Sequence, residues 1–325
     1  MAGNFLDTLS AEEKQRIKDR TETLIELLEK WARQHPSIRP TRIPATALTT
    51  AAVLPEMSVL DALMTAQIIL WIFGVDDQID EGMISPAEAR RKAKQWYSIA
   101  NRGSSDEMDD SDDLAIILLE IRRRLSEFYL FEPLREYWAS RLRLLVEAMA
   151  QEYQYGLQYS ACGVRTLPSL DEYLHVGTRS IGFPLWGSTI MILLQDPSVV
   201  EYFEPISVAM VHMCTALRLY NDVATFDKEI QAHEVNSVVI MYHAMFDSNP
   251  NAGQENILLE AKQRILQLAD SHAQRCYDLA RQPKTDSGQF EQISSRVVAF
   301  HAHFYGRIEH DYHTTSQAET YELLV

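Results

Sequence analysis

Apolar residues recur at helical spacing along almost the whole chain, and no stretch alternates long enough to make a strand of a sheet. That pattern restricts the chain to an all-α fold. The opening helix shows the rule: Ser10 followed by Glu13 forms a capping-box pattern, and Ile17, Leu24, Leu27, Leu28 and Trp31 follow on one side. Only 12 glycines and 12 prolines interrupt 325 residues, which suits long helices joined by short loops. Pro36, Pro40 and Pro44 predict an extended loop after the first helix. Ser58 with Asp61 opens a second helix to about residue 79, and Ser85-Pro86 opens a third. The acidic stretch 106–113 is expected as surface loop before a helix over 114–129. A long helix follows Pro133, and another starts at Ser169 and is interrupted near Arg179 by Gly177, Gly182 and Pro184. Helices over 198–227, 236–246, 254–281 and 290–309 complete the reading, with a polar, frayed tail from residue 314. With no internal repeat and no linker, the expectation is one helical bundle of roughly ten or eleven helices.

Charge and cysteine content narrow the function classes. The formal net charge is −16, so a duplex nucleic acid or an anionic membrane is not the expected partner, since both need clustered Lys and Arg. Cys162, Cys214 and Cys276 are odd in number and far apart, which fits neither a disulfide framework nor a zinc site. The first residues lack the basic flank and apolar core of a signal peptide. The apolar run over 64–75 is too short to span a bilayer. The expectation is a soluble, cytoplasmic protein with reduced thiols.

Two polar constellations interrupt the apolar pattern. Asp76-Asp77-Gln78-Ile79-Asp80 ends the helix that carries Trp71, Ile72, Phe73 and Val75. Asp76 and Asp80 share a helix face, where like charges oppose each other by a few tenths of a kcal/mol. The negative end of the helix dipole makes the position worse for carboxylates. A bound cation would resolve the conflict, and hard oxygen ligands on one face suit Mg²⁺. A solvated acidic helix end is the alternative. The second constellation is Asn221-Asp222-Val223-Ala224-Thr225-Phe226-Asp227-Lys228-Glu229. Asn221, Thr225 and Glu229 fall at i, i+4 and i+8, an amide, a hydroxyl and a carboxylate along one face, with Lys228 beside them to reach a phosphate. An ordinary polar helix end is the alternative here, and it is weakened by the apolar run just before it.

Together the two constellations resemble the paired motifs of class I terpene synthases, an aspartate-rich DDxxD on one helix and NDxxSxxKE on the facing one. Thr225 takes the Ser position, a hydroxyl for a hydroxyl, and the motifs lie about 145 residues apart, as in the family. The resemblance spans about residues 60–312. It implies a class I isoprenoid synthase bundle around a central cavity, with residues 51–313 as the catalytic domain, 1–50 as an N-terminal helix and loop, and 314–325 as a tail. It implies a Mg²⁺ cluster of three ions, with Mn²⁺ as an alternative, held by Asp76, Asp80, Asn221, Thr225 and Glu229. It also implies that Arg179, 42 residues before Asn221, is the diphosphate-sensing arginine. Arg307, 86 residues after Asn221, falls near the family's C-terminal Arg-Tyr pair, although Ile308 follows it and Tyr312 is the nearest later tyrosine. Lys228 and Arg307 would then bind diphosphate alongside Arg179.

The activity this implies is Mg²⁺-dependent ionisation and cyclisation of farnesyl or geranylgeranyl diphosphate, giving a cyclic terpene and diphosphate, in a chain that could form a homodimer. Phe73 and Trp186 are the first candidates to line the cavity where a carbocation forms, because an aromatic face stabilises a cation by about 0.5–2 kcal/mol. A chain-elongating prenyltransferase is a rival, but that family carries two aspartate-rich motifs. A non-catalytic helical binding protein is the other rival. His301, His303, His310 and His313 lack the spacing of a zinc site and are not read as one.

Overall fold

Side-chain caps start the helices where the sequence places them. In the computed structural model, residues 5–103, 111–232, 234–248, 253–305, 316 and 318–319 are described. Helix α1 (Ala11–Ala32) opens on the Ser10–Glu13 capping box, in which Ser10 Oγ accepts from Glu13 N at 3.2 Å and Glu13 accepts from Ser10 N at 2.8 Å. Ser58 caps α3 (Val59–Asp80), Ser85 caps α4 (Pro86–Arg102), and Ser169 caps α7 (Leu170–Ser180) in a second capping box. Each cap satisfies backbone N–H groups that have no partner within the helix, typically worth about 1 kcal/mol.

Two loop expectations change. Residues 43–53 form helix α2 (Ile43–Val53) rather than extended loop. Pro44 lies in its first turn, where a missing N–H costs nothing and the fixed φ favours a helix. Asp112 and Asp113 are not surface loop either. Asp112 caps α5 (Asp113–Leu125) by accepting from Ala115 N at 3.2 Å, and it takes Lys92 Nζ at 2.6 Å. Asp113 accepts from Ser37 N at 2.8 Å and lies 2.9 Å from His35 Nδ1. A short carboxylate at a helix N-terminus finds buried donors, which composition alone hides.

The remaining helices are α6 (Phe131–Cys162), α8 (Phe183–Leu194), α9 (Ser198–Glu201), α10 (Phe203–Ala232), α11 (Ser237–Ser248), α12 (Gln254–Arg281) and α13 (Gln289–Phe304). Among the described residues there is no strand, and the architecture is an all-α bundle. Helix α6 packs on α4, α7 and α8, while α10 packs on α12, α13 and α7. Helix α3 lies inside, against α1, α2, α5, α6 and α8. Its middle, before the acidic end, is apolar on most sides, as a largely buried helix should be. Its 22 residues are long and apolar enough to cross a membrane by composition, yet 72% of its most apolar window is buried inside the protein. Trp71 anchors it: Nε1 donates 2.8 Å to the Leu114 carbonyl, and the ring meets Trp96 edge-on at 5.3 Å.

The chain breaks sharply between α7 and α8. Gly182 there has φ +82°, and a Cβ would stand 2.9 Å from Ile72 Cγ2 on α3. Only glycine meets both conditions, so α8 begins against the wall of α3. Arg307, Tyr312, His310, His313, residues 106–110 and most of the 314–325 tail lie outside the described residues.

Candidate active site

A cavity of about 590 Å³ opens between α3, α6, α10 and the α7–α8 break. On α3, Ile69, Ile72, Phe73, Asp76 and Asp80 face it at i, i+3, i+4, i+7 and i+11, positions on one side of the helix, and Asp77 borders it. The apolar members come first and the aspartates last, which gives the cavity an apolar floor and an acidic mouth. On α10, Arg218, Asn221, Thr225, Lys228 and Glu229 follow the same rule on the facing wall. Met149 from α6, with Ile181, Phe183 and Trp186 from the break and α8, completes the apolar part.

The structure therefore brings Asp76, Asp80, Asn221, Thr225, Lys228, Glu229, Phe73 and Trp186 to one cavity. Arg179 is not among its lining residues. On α7 the buried positions are Tyr173, Gly177 and Ser180, and Arg179 stands off that stripe, where Arg141 and Glu147 are the charges it feels. Arg307 lies outside the described residues.

The second motif is cross-braced. Thr225 Oγ1 lies 2.6 Å from Glu229 Oε1, and Asn236 Nδ2 donates 2.7 Å to Glu229 Oε2 and 2.7 Å to the Asp222 carbonyl. Asp222 is fully buried and points away from its neighbour Asn221. It accepts from Ser237 N at 3.1 Å and from the Tyr173 hydroxyl at 3.0 Å, and it pairs with Arg218 Nε at 2.9 Å. This aspartate holds α10 to α7 and α11. Asp77 is also paired in the first motif: Arg42 and Arg39, from the segment before α2, hold it, and all three line the cavity beside Asp76 and Asp80.

Four of the residues described here were missed by sequence reasoning. Arg39, Arg42 and Glu152 carry no local signal, because only tertiary packing brings them to the motifs. Arg218 carries one: it lies three residues before Asn221, on the same helix face.

The acids at the mouth are crowded. Burial, and then the carboxylates of Glu152 and Asp77, push Asp76 up to about 6, although Arg42 and Arg218 work against it. Asp80 moves the same way, by burial first and then by Asp76, Glu234 and Glu152. Its outer edge stays open to water, which screens part of that effect. Glu229 is pushed up to about 7 by burial and then by Asp222. Carboxylates arranged so that they cannot all ionise favourably fit a site completed by cations. Among the described residues no three acidic, histidine or cysteine side chains gather around a single point. The donors instead stand on two walls with one or two carboxylates each, plus an amide and a hydroxyl. That set suits Mg²⁺, which takes few protein carboxylates and fills its shell with water and phosphate oxygens.

Comparison with known proteins agrees with this geometry. The family model described as terpene synthase family 2, C-terminal metal binding, matches residues 67–265, more than half of the chain. No curated protein matches the sequence. Solved structures with the same fold include linalool/nerolidol synthase from Streptomyces clavuligerus, 13% identical with TM-score 0.62, covering 88% of this chain and 94% of that one. Germacradien-4-ol synthase from Streptomyces citricolor is 15% identical with TM-score 0.65, covering 89% and 93%. The SVS_A2 protein from ancestral sequence reconstruction is 17% identical with TM-score 0.65, covering 90% and 85%. With the match over both motifs and the shared all-α fold, the chain belongs to terpene synthase family 2.

Proposed function

We propose that the protein ionises and cyclises an acyclic prenyl diphosphate, farnesyl or geranylgeranyl, in a Mg²⁺-dependent reaction that yields a cyclic terpene and diphosphate. The observation that carries this reading is the meeting of both motifs across one cavity that is acidic at the mouth and apolar at the floor. An amphiphile with an anionic head and a hydrocarbon tail matches that polarity. One of the structural neighbours, the S. clavuligerus synthase, has been solved with 2-fluorogeranyl diphosphate.

Asp76 and Asp80 on one wall, and Asn221, Thr225 and Glu229 on the other, would hold the metal. When bound, the ions neutralise the diphosphate and stabilise the negative charge that builds on it as it leaves. Without cations, the acidic mouth repels the head: at an effective dielectric of about 20, each like-charge pair at 4 Å costs roughly 4 kcal/mol. Lys228 at the mouth can give a charge-assisted hydrogen bond to the leaving group. The C–O bond breaks heterolytically, and its electron pair leaves with the diphosphate. Ile69, Ile72, Phe73, Met149, Phe183 and Trp186 then surround the allylic cation with apolar and aromatic groups and exclude water. In cyclisation a distal double bond of the chain attacks the cation, forming a ring C–C bond and passing the positive charge to a new carbon, and loss of a proton or capture of water then neutralises it.

Release of inorganic diphosphate from geranyl, farnesyl and geranylgeranyl diphosphate, followed with Mg²⁺ and with chelator, tests this reading. Release from one substrate alone, abolished by chelator and unaffected by isopentenyl diphosphate, is the expected result. A requirement for isopentenyl diphosphate would establish a chain-elongating prenyltransferase instead.

A further inference from the structure

The cavity holds a cation that neither motif predicts. Arg218 lies one helical turn before Asn221 on the cavity face of α10, only 8% exposed, on the floor side of the proposed metal ligands. Its guanidinium is held from several directions. Nε donates 2.8 Å to the Tyr173 hydroxyl and pairs with Asp222 at 2.9 Å, and one terminal nitrogen meets Glu152 from α6. Tyr173 in turn donates to Asp222, so two hydrogen bonds and one ion pair join Arg218, Tyr173 and Asp222.

Helix α7 is shaped for this side chain. Gly177 occupies a helix interior, where glycine costs about 1 kcal/mol relative to alanine. A Cβ there would stand 3.2 Å from both Cγ and Nε of Arg218 and 3.3 Å from Cδ. The glycine keeps open the channel through which Arg218 reaches the cavity. Arg179, two residues further along α7, is neither one of the helix's buried positions nor one of the residues lining the cavity.

We propose that Arg218, and not Arg179, is the arginine that grips the substrate's diphosphate, exchanging Glu152 for a phosphate oxygen when substrate binds. Its two acidic partners differ in the way this exchange needs. The side chain of Asp222 is fully buried and fixed by Ser237 and Tyr173, whereas that of Glu152 is 21% exposed and itself lines the cavity. Asp222 and Tyr173 hold the guanidinium in place, and Glu152 occupies the position that an anionic ligand would take. Arginine suits the exchange because its five donors serve several acceptors at once; lysine, a compact point charge, cannot fork in this way. The assignment rests on the prenyl diphosphate reading above.

The test is titration of inorganic diphosphate with Mg²⁺ by calorimetry, with the metal-free thermal midpoint recorded for each protein. Arg218→Lys should weaken binding at least about tenfold, the loss of one or two charge-assisted hydrogen bonds. Gly177→Ala should weaken it several-fold while leaving α7 helical, because the new methyl displaces the Arg218 stem. Arg179→Ala should stay within about twofold. Glu152→Gln separates this account from a purely structural ion pair: it should bind diphosphate as well as or better than the wild type. Wild-type affinity in Arg218→Lys, or a loss in Arg179→Ala as large as in Arg218→Lys, overturns the assignment alone. If the wild-type protein neither binds magnesium diphosphate nor releases it from any prenyl diphosphate, the proposed function falls and this assignment falls with it.

Discussion

Arg42 lies over the ring of Phe73, its guanidinium carbon 4.4 Å from the ring centroid, while the same guanidinium pairs with Asp77. One side chain thus joins the segment before α2 to the floor and to the acidic end of α3. It also gives Phe73 a second task, since one face of the ring already stabilises a cation of the protein itself. Arg42→Ala should destabilise the fold by about 2–3 kcal/mol. That is less than the roughly 3–5 expected when a buried partner is left wholly unpaired, because Arg39 still reaches Asp77. Phe73→Leu should cost about 1–2 kcal/mol, losing the cation–π contact and part of the packed area. Denaturant midpoints of the two variants check both values.

The crowded carboxylates make metal binding depend on pH. Asp76 is raised to about 6 and Glu229 to about 7, both above the ordinary value near 4. Between pH 4 and 7 the folded, metal-free protein therefore holds protons that the unfolded chain has lost. The stability linked to these groups is fully present below about pH 4 and is lost as pH rises through 6 to 7. Cations replace those protons, so added Mg²⁺ with diphosphate should raise the thermal midpoint more at pH 7.5 than at pH 5.5. Asp76→Asn should flatten the difference. An equal gain at both pH values would contradict the assignment of these acids to the metal site.

His301 controls a separate acid limb. It is fully buried among Phe183, Phe300, Phe304 and Tyr305, with Nδ1 2.7 Å from the Val297 carbonyl, and burial pushes it down to about 4. The unfolded chain takes up a proton below about 6.5, and the folded one does not until about 4. Stability linked to this residue is present above 6.5 and falls across that window, by on the order of 3 kcal/mol. His301→Phe should make the loss between pH 7 and pH 4.5 distinctly shallower in urea titrations, whatever its effect at neutral pH.

At the α7–α8 break, Gly182→Ala should cost about 2–3 kcal/mol, combining a left-handed backbone at φ +82° with the 2.9 Å approach to Ile72. Adding Ile72→Ala removes the Cγ2 and Cδ1 atoms that the new methyl would meet at 2.9 and 3.1 Å, so the double variant should lose less than the sum of the two single variants. That shortfall, read from thermal unfolding, separates the steric contribution from the backbone one.

Much of this architecture was legible in the chain. Ser10, Ser58, Ser85 and Ser169 mark helix starts because a cap is a local hydrogen bond. The i, i+4, i+8 spacing suffices to put Asn221, Thr225 and Glu229 on one side of α10. What stayed hidden depends on distant packing or on a single step of helix phase. Arg179 misses the cavity because a shift of one residue turns a side chain by about 100°, and Ser180 and Gly177 hold the inward positions. Arg39, Arg42 and Glu152 meet the motifs only after the bundle closes. Pro44 read as loop because a proline is equally at home in a turn and in the first turn of a helix.

Product analysis tests the central claim most directly. Wild-type protein, Asp76→Ala and Asn221→Ala would each be incubated with farnesyl and with geranylgeranyl diphosphate and Mg²⁺, and the extracts resolved by gas chromatography with mass detection. The account predicts a cyclic terpene from the wild type with one of the two substrates, and none from either variant or in the presence of chelator. Undiminished product from a folded variant lacking either wall of the site would contradict it, as would a folded wild-type protein that turns over neither substrate.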